Sequence, residues 1–184
     1  TGVANRRGLL ERAESMQAQA SRLGLPLCVV MVDIDHFKAV NDDHGHQTGD
    51  HLLAAVARAL RDNIRKEDAI GRMGGEEFAL ILPNTPRSGA MMFARALTEL
   101  LASGKLPHPA SPVSPYVTVS GGITTCVPDE STTSMGMVTR ADEALYAAKA
   151  LGRNHFFSYE LQVTAKDHLA HSADRARLHT PPIV

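Results

Sequence analysis

Arg72-Met73-Gly74-Gly75-Glu76-Glu77-Phe78 is the stretch on which the fold turns. Two glycines permit a turn tighter than residues with a Cβ make cheaply. Apolar residues flank it, Ala69, Ile70 and Met73 before and Phe78 to Leu82 after. The spacing predicts a β-hairpin with Glu76 and Glu77 lifted to its tip. Adjacent carboxylates beside a glycine turn suit a hard cation such as Mg2+, which prefers oxygen ligands. Alone, the stretch is better read as a solvated acidic turn.

A second acidic site changes that balance. Leu25-Pro26-Leu27-Cys28-Val29-Val30-Met31-Val32 is an apolar run long enough for one buried strand, and it ends in Asp33-Ile34-Asp35. An acid at the end of a buried strand is well placed to aim into a crevice. The hairpin tip and this strand end can meet only if their strands are neighbours. Strand alternation is read here as turning Asp35 to the opposite face from Asp33, which leaves it out of the metal set.

The remaining chain alternates helical and strand patterns. Arg6 to Leu23 reads as a helix, Phe37 to Asp42 as a short one, and a long one starts at Thr48 or Asp50 and runs to about Lys66. Leu52, Leu53, Val56, Leu60 and Ile64 recur on it at helical spacing. Ser88 to Ala102 and Met137 to Leu151 are further amphipathic helices. Gly104 to Pro115 holds four prolines and reads as an irregular connection. Tyr116 to Cys126 reads as a strand in which Gly121-Gly122 marks a bulge. His155 to Tyr159 reads as a closing strand. The pattern predicts an α+β domain with a mixed central sheet of about five strands covered by helices.

Bulk properties narrow the function classes. The chain has 184 residues, 43% hydrophobic and 21% charged, as expected of one globular domain. A net charge of −1 gives no reason to expect a nucleic-acid partner. Cys28 and Cys126 fall inside strands and read as small apolar residues rather than a disulfide. The 9 histidines show no zinc-ligand spacing.

Four motifs in order resemble those of GGDEF-family diguanylate cyclases. The first is Asp33-Ile34-Asp35-His36-Phe37-Lys38-Ala39-Val40-Asn41-Asp42, followed by Gly45-His46 and Gly49-Asp50. The second is Gly74-Gly75-Glu76-Glu77-Phe78, with Glu in place of the family's first acid. The third is Asp142 to Asn154, and Thr1 to Arg7 is similar to the family's opening motif, cut at its start. The resemblance covers residues 1–158 as the cyclase domain and leaves 159–184 as a polar C-terminal extension.

The resemblance implies a palm-like nucleotide-cyclase sheet and an enzyme that condenses two GTP into cyclic di-GMP with release of pyrophosphate. It implies Mg2+ or Mn2+ held by Asp33, the Ile34 carbonyl, Glu76 and Glu77, with Glu76 also taking the proton of the attacking hydroxyl. The backbone of His36, Phe37 and Lys38, with the Lys38 ammonium, Lys149 and Arg153, would contact phosphates. Lys149 and Arg153, four apart, would share a helix face but for Gly152. Asp50 would read guanine with Asn41 as its amide partner; a helix N-cap is the alternative for Asp50. Leu53 is expected in the core rather than against the purine, and His46 in a structural hydrogen bond. Arg65 and Asp68 resemble an inhibitory site for the product, with Arg95 a candidate second arginine. The implied partners are GTP, cyclic di-GMP, a second copy of the domain, and a sensory or regulatory domain ahead of a chain that starts inside a motif. A cytoplasmic location follows, including the cytoplasmic part of a membrane-anchored protein. The alternative is a catalytically weak relative serving as a receptor for GTP or cyclic di-GMP.

Overall fold

A computed structural model describes residues 1–105, 107–108 and 111–160. Most of the expected extension, from residue 161 on, lies outside the described residues. The elements are β1 (Ala4–Asn5), α1 (Arg6–Leu23), β2 (Leu27–Ile34), α2 (Phe37–His44), α3 (His46–Asp62), β3 (Ala69–Gly74), β4 (Glu77–Pro83), α4 (Arg87–Gly104), β5 (Val119–Cys126), α5 (Ser134–Ala150) and β6 (Phe156–Ser158). They build one mixed sheet in the order β1-β3-β4-β2-β5-β6. The two outer pairs, β1 with β3 and β5 with β6, are parallel, and the inner pairs are antiparallel. The sheet is the expected mixed one, with a two-residue strand added at its β1 edge.

β2 lies at the centre because every one of its residues is buried. Such a run must be covered on both faces. Cys28, Val30, Val32 and Ile34 pack with α2, α3 and α4, whereas Leu27, Val29 and Met31 pack with α1 and α5. Leu53 belongs to the first of these cores, 3% exposed, as expected. Cys28 and Cys126 face opposite sides of the sheet and are both free. Burial pushes the Cys28 thiol up to about 12, which leaves it inert at neutral pH.

Several boundaries differ from the sequence reading, and two helix starts and the absence of one bulge have a clear physical cause. α3 starts at His46 rather than at Thr48 or Asp50, since Gly45, at φ 81, ends α2 and starts α3 through its backbone alone. α5 starts at Ser134 rather than Met137, because Thr133 accepts from the Gly136 N–H and caps it. The third difference concerns Gly121-Gly122. β2 and β5 pair without a register break from Leu27↔Cys126 to Ile34↔Val119, so no bulge forms there. The glycines serve close approach instead. A Cβ on Gly121 would strike the Phe156 ring, and one on Gly122 would strike the backbone of α5 at Ala141 and Leu145. α5 therefore lies flush on β5.

Gly122→Ala should lower stability by about 1–3 kcal/mol, the range for overpacking a tight contact. A urea titration of both proteins would measure it, and an unchanged midpoint would mean that α5 shifts freely.

Candidate functional site

The hairpin between β3 and β4 meets the end of β2. Glu77 lies directly across from Asp33 in the antiparallel β2–β4 pair, and Ser120 lies across from Asp33 on the other side. Directly opposed residues share a face, so Asp33, Glu77 and Ser120 form one row beneath α5. Glu76 occupies the turn next to this row. Gly75 supplies the positive φ, 46°, and Met73 is bulged out between the Arg72 and Gly74 pairings. The Arg72 Nε–H donates to the Gly75 carbonyl at 2.8 Å and braces the tip. The sequence had marked Arg72 only as the start of the motif.

Asp33 is 4% exposed. Its pKa is pushed up to about 6 from the usual 3.8, chiefly by burial, with Glu76 and Glu77 adding to the rise. Lys149, near the end of α5, opposes it from 2.8 Å. Lys149 is thus engaged with an acid rather than standing free. The charges of Glu76 and Glu77 reach Asp33 and one ammonium opposes them, a local excess of negative charge that suits a divalent cation. Among the described residues no three His, Cys, Asp or Glu side chains form a metal cluster. Mg2+ commonly takes only one or two carboxylates and completes its shell with water and substrate phosphate. Asp33 and Glu77, opposed across the β2–β4 pair, would supply two such carboxylates.

Asp35 corrects the alternation argument. Residues two apart on a strand share a face, and Asp35 lies on the α5 side with Asp33. Its carboxylate is occupied: Thr118 Oγ1–H donates at 2.8 Å, Ser120 Oγ–H at 2.7 Å and the Asn154 N–H at 3.1 Å. Arg153 Nε lies 4.0 Å from it. Asp35 thus fixes the loop after α5, where Arg153 and Asn154 both adopt positive φ. Arg153 lies beyond α5, so it does not share a helix face with Lys149; the loop returns it to the same end of the sheet.

His36 is left-handed, φ 55, and starts α2. The amides of Phe37 and Lys38 precede any intrahelical acceptor, and N–H groups at a helix start favour anions in general. The Phe37 ring is buried, and Lys38 is exposed in the first turn of α2. Asn41 on α2 faces α3 at Gly49, where a Cβ would collide with its side chain. Its Oδ1 is buried without a hydrogen-bond partner. Asp50 is exposed within the second turn of α3, which removes the N-cap reading because the cap is Gly45. His46 is exposed, and among the described residues its side chain makes no hydrogen bond, so the structural bond expected of it is not formed.

Arg65 and Asp68 sit in the turn before β3. Asp68 Oδ2 accepts the Arg65 N–H at 2.7 Å, and burial holds its carboxyl above the usual range. Asp68 is therefore committed to the turn, while Arg65 is exposed and shares a cleft with Arg12 and Arg61. Arg95 is elsewhere, paired with Glu99 at 2.9 Å on α4 and lining a cleft with Phe156.

The family model described as diguanylate cyclase, GGDEF domain, matches residues 1–155. The diguanylate cyclase DgcP of Pseudomonas aeruginosa is 40% identical over 154 residues, 84% of this chain and 22% of that protein. The response regulator PleD of Caulobacter vibrioides is 35% identical over 84% of this chain and 34% of its own length. The chain thus spans a fifth to a third of these relatives. The GGDEF domain of DgcB from Caulobacter crescentus, solved in complex with c-di-GMP, superposes with a TM-score of 0.79 at 33% identity, over 87% of this chain and 90% of that one. An active GGEEF domain of a Vibrio cholerae diguanylate cyclase gives 0.75 at 32% identity, over 85% and 97%.

A carboxyl raised above its ordinary value binds its proton more tightly in the folded chain. The stability it contributes is present below 3.8 and lost as pH rises through about 6. In metal-free buffer, Asp33→Asn should gain stability over the native chain by on the order of 2 kcal/mol between pH 4 and pH 7. Denaturation curves across that range would measure it; a constant difference would mean that Asp33 is not strained by its surroundings.

Proposed function

Because the chain belongs to the diguanylate cyclase GGDEF-domain family, we propose that it condenses two GTP molecules into cyclic di-GMP and releases pyrophosphate. The observation that carries this reading is the direct register of Asp33 against Glu77, with Glu76 beside them at the hairpin tip. Each 3′ hydroxyl attacks the α-phosphate of the other nucleotide, so charge grows on a leaving group that is already anionic. Bound Mg2+ or Mn2+, held by Asp33, the Ile34 carbonyl, Glu76 and Glu77, would supply charge neutralisation and alignment.

The chain's own groups do the rest. Glu76 accepts the proton of the attacking hydroxyl. The His36, Phe37 and Lys38 amides receive phosphate oxygens, and the Lys38 ammonium stabilises charge on the leaving pyrophosphate. Lys149 and Arg153 hold the triphosphate from the α5 side. The unpartnered Asn41 Oδ1 and the exposed Asp50 carboxylate accept from the amine and N1–H of guanine, donors that adenine does not arrange in this way. One domain holds one nucleotide, so a second copy must present the other face to face.

Cyclic di-GMP would feed back at Arg65, with Asp68 fixing the turn. Arg12 and Arg61, which share the Arg65 cleft, are better placed than Arg95 to complete a guanidinium set. The reading assigns residues 1–158 to the cyclase domain and 159–184 to an extension. It places the domain in the cytoplasm, under a regulatory domain such as the longer relatives leave room for. Among the described residues, no helix is long and apolar enough to cross a membrane.

Turnover of GTP with Mg2+, followed by nucleotide chromatography, tests this reading. Product should rise more steeply than linearly with protein concentration. Asp33→Ala should reduce turnover about 100-fold or more, the scale of losing one group that stabilises transition-state charge. Arg65→Ala should keep turnover and escape inhibition by added product. Binding of cyclic di-GMP without any turnover would instead make the domain a receptor.

A further inference from the structure

The proline-rich connection between α4 and β5 delivers a histidine to the interior. His108 is 1% exposed, and among the described residues around it the regular structure is one bridge between Pro107 and Tyr116. Its backbone is tied at both ends: its N–H donates to Pro115 O at 2.8 Å, and its carbonyl accepts from the Ser111 N–H at 3.1 Å. Its ring reaches across 72 residues of sequence to the His36 carbonyl, with Nε2 at 3.2 Å. A carbonyl oxygen only accepts, so Nε2 carries the hydrogen in this bond.

His36 is one of the non-glycine residues held at positive φ. A side chain with a Cβ populates φ 55 sparsely, and such a conformation persists where the surroundings over-determine it. The His36 carbonyl already accepts the Ala39 N–H at 2.9 Å, which closes the first turn of α2. The bond from His108 is a second restraint on the same oxygen, from outside the helix. It sets the plane of the His36–Phe37 peptide, and with it the direction of the Phe37 N–H.

We infer that His108 is a positioning residue for the nucleotide triphosphate: through its Nε2–H it locks the left-handed turn at His36 that aims the Phe37 and Lys38 amides at phosphate. This rests on the phosphate-binding role proposed above for that turn. His108 itself touches no reacting group. Its loss should act on binding of the triphosphate and leave the chemical step alone.

The test compares His108→Leu, which fills the space without a donor, with His108→Gln, whose amide nitrogen reaches the place of Nε2. His108→Asn, whose amide stops at the place of Nδ1, serves as a third case. Two readouts are taken, steady-state turnover of GTP with Mg2+ and backbone amide exchange, by mass spectrometry, of the peptide spanning residues 36–42. His108→Leu and His108→Asn should raise KM about threefold to tenfold, the loss of one hydrogen bond, with kcat unchanged. They should speed exchange in that peptide and not in β2 or β5, and His108→Gln should restore both values to within about twofold. Equal KM and exchange in the native protein and all three variants would overturn the inference. So would His108→Gln failing as badly as His108→Leu, since ring packing rather than the hydrogen bond would then be responsible. If His108→Leu does not fold, the Gln and Asn pair decides the same question. Should the native protein turn over no GTP, the proposed function fails, while amide exchange still decides whether His108 holds the turn.

Discussion

Strand β2 is buried on both faces and paired along both edges, and a strand so enclosed can end only where its last polar groups find partners. Asp33 and Asp35 mark that end. Asp33 is met by Lys149 from above and lies opposite Glu77 from the side, and Asp35 is met by Thr118, Ser120 and the Asn154 amide. These partners come from five separate elements or loops. They converge because the apolar part of β2 fixes the register of β4 and β5 and because the bare backbone at Gly122 lets α5 lie against the sheet. The polar site is therefore a consequence of apolar packing further down the same strand.

The parts of this arrangement that were legible in the sequence are those with a local cause. The hairpin was readable because Gly74-Gly75 interrupts two apolar runs, and β2 because its run is unbroken. The helix at about Arg6 to Leu23 was readable, and the structure bounds it with an Asn5 cap and a left-handed Gly24. The start of α3 was missed because its cap, Gly45, offers no side chain as a signal. The Asp35 assignment failed for a different reason: a two-residue period was applied as if it separated residues i and i+2, when it joins them.

What the sequence could not carry is long-range. Thr118 meets Asp35 across 83 positions and Asn154 meets it across 119, and no local pattern announces either bond. The Gly121-Gly122 pair reads as a bulge when β5 is considered alone. It becomes an approach surface once Phe156 and α5 are in place on either side. Arg65 and Asp68 were found by spacing, but spacing did not reveal that the carboxylate bonds the turn's own backbone. Arg95 was drawn in by its residue type; the sheet order puts it near β6 at one edge, whereas Arg65 leads into β3 near the other.

The electrostatics of the site set burial and neighbouring acids against one close ammonium. Burial raises the pKa of Asp33, neighbouring acids raise it further, and Lys149 only partly offsets them. A triphosphate brings more negative charge to the same place, and at a few ångströms in a partly buried setting like charges repel by several kcal/mol. Neither the acids nor the nucleotide can be accommodated fully ionised unless cations lie between them. An acidic strand end would therefore exclude nucleotides on its own and would accept them only in company with divalent metal. On the proposed function, the charge that raises the Asp33 pKa would also make nucleotide binding conditional on divalent metal.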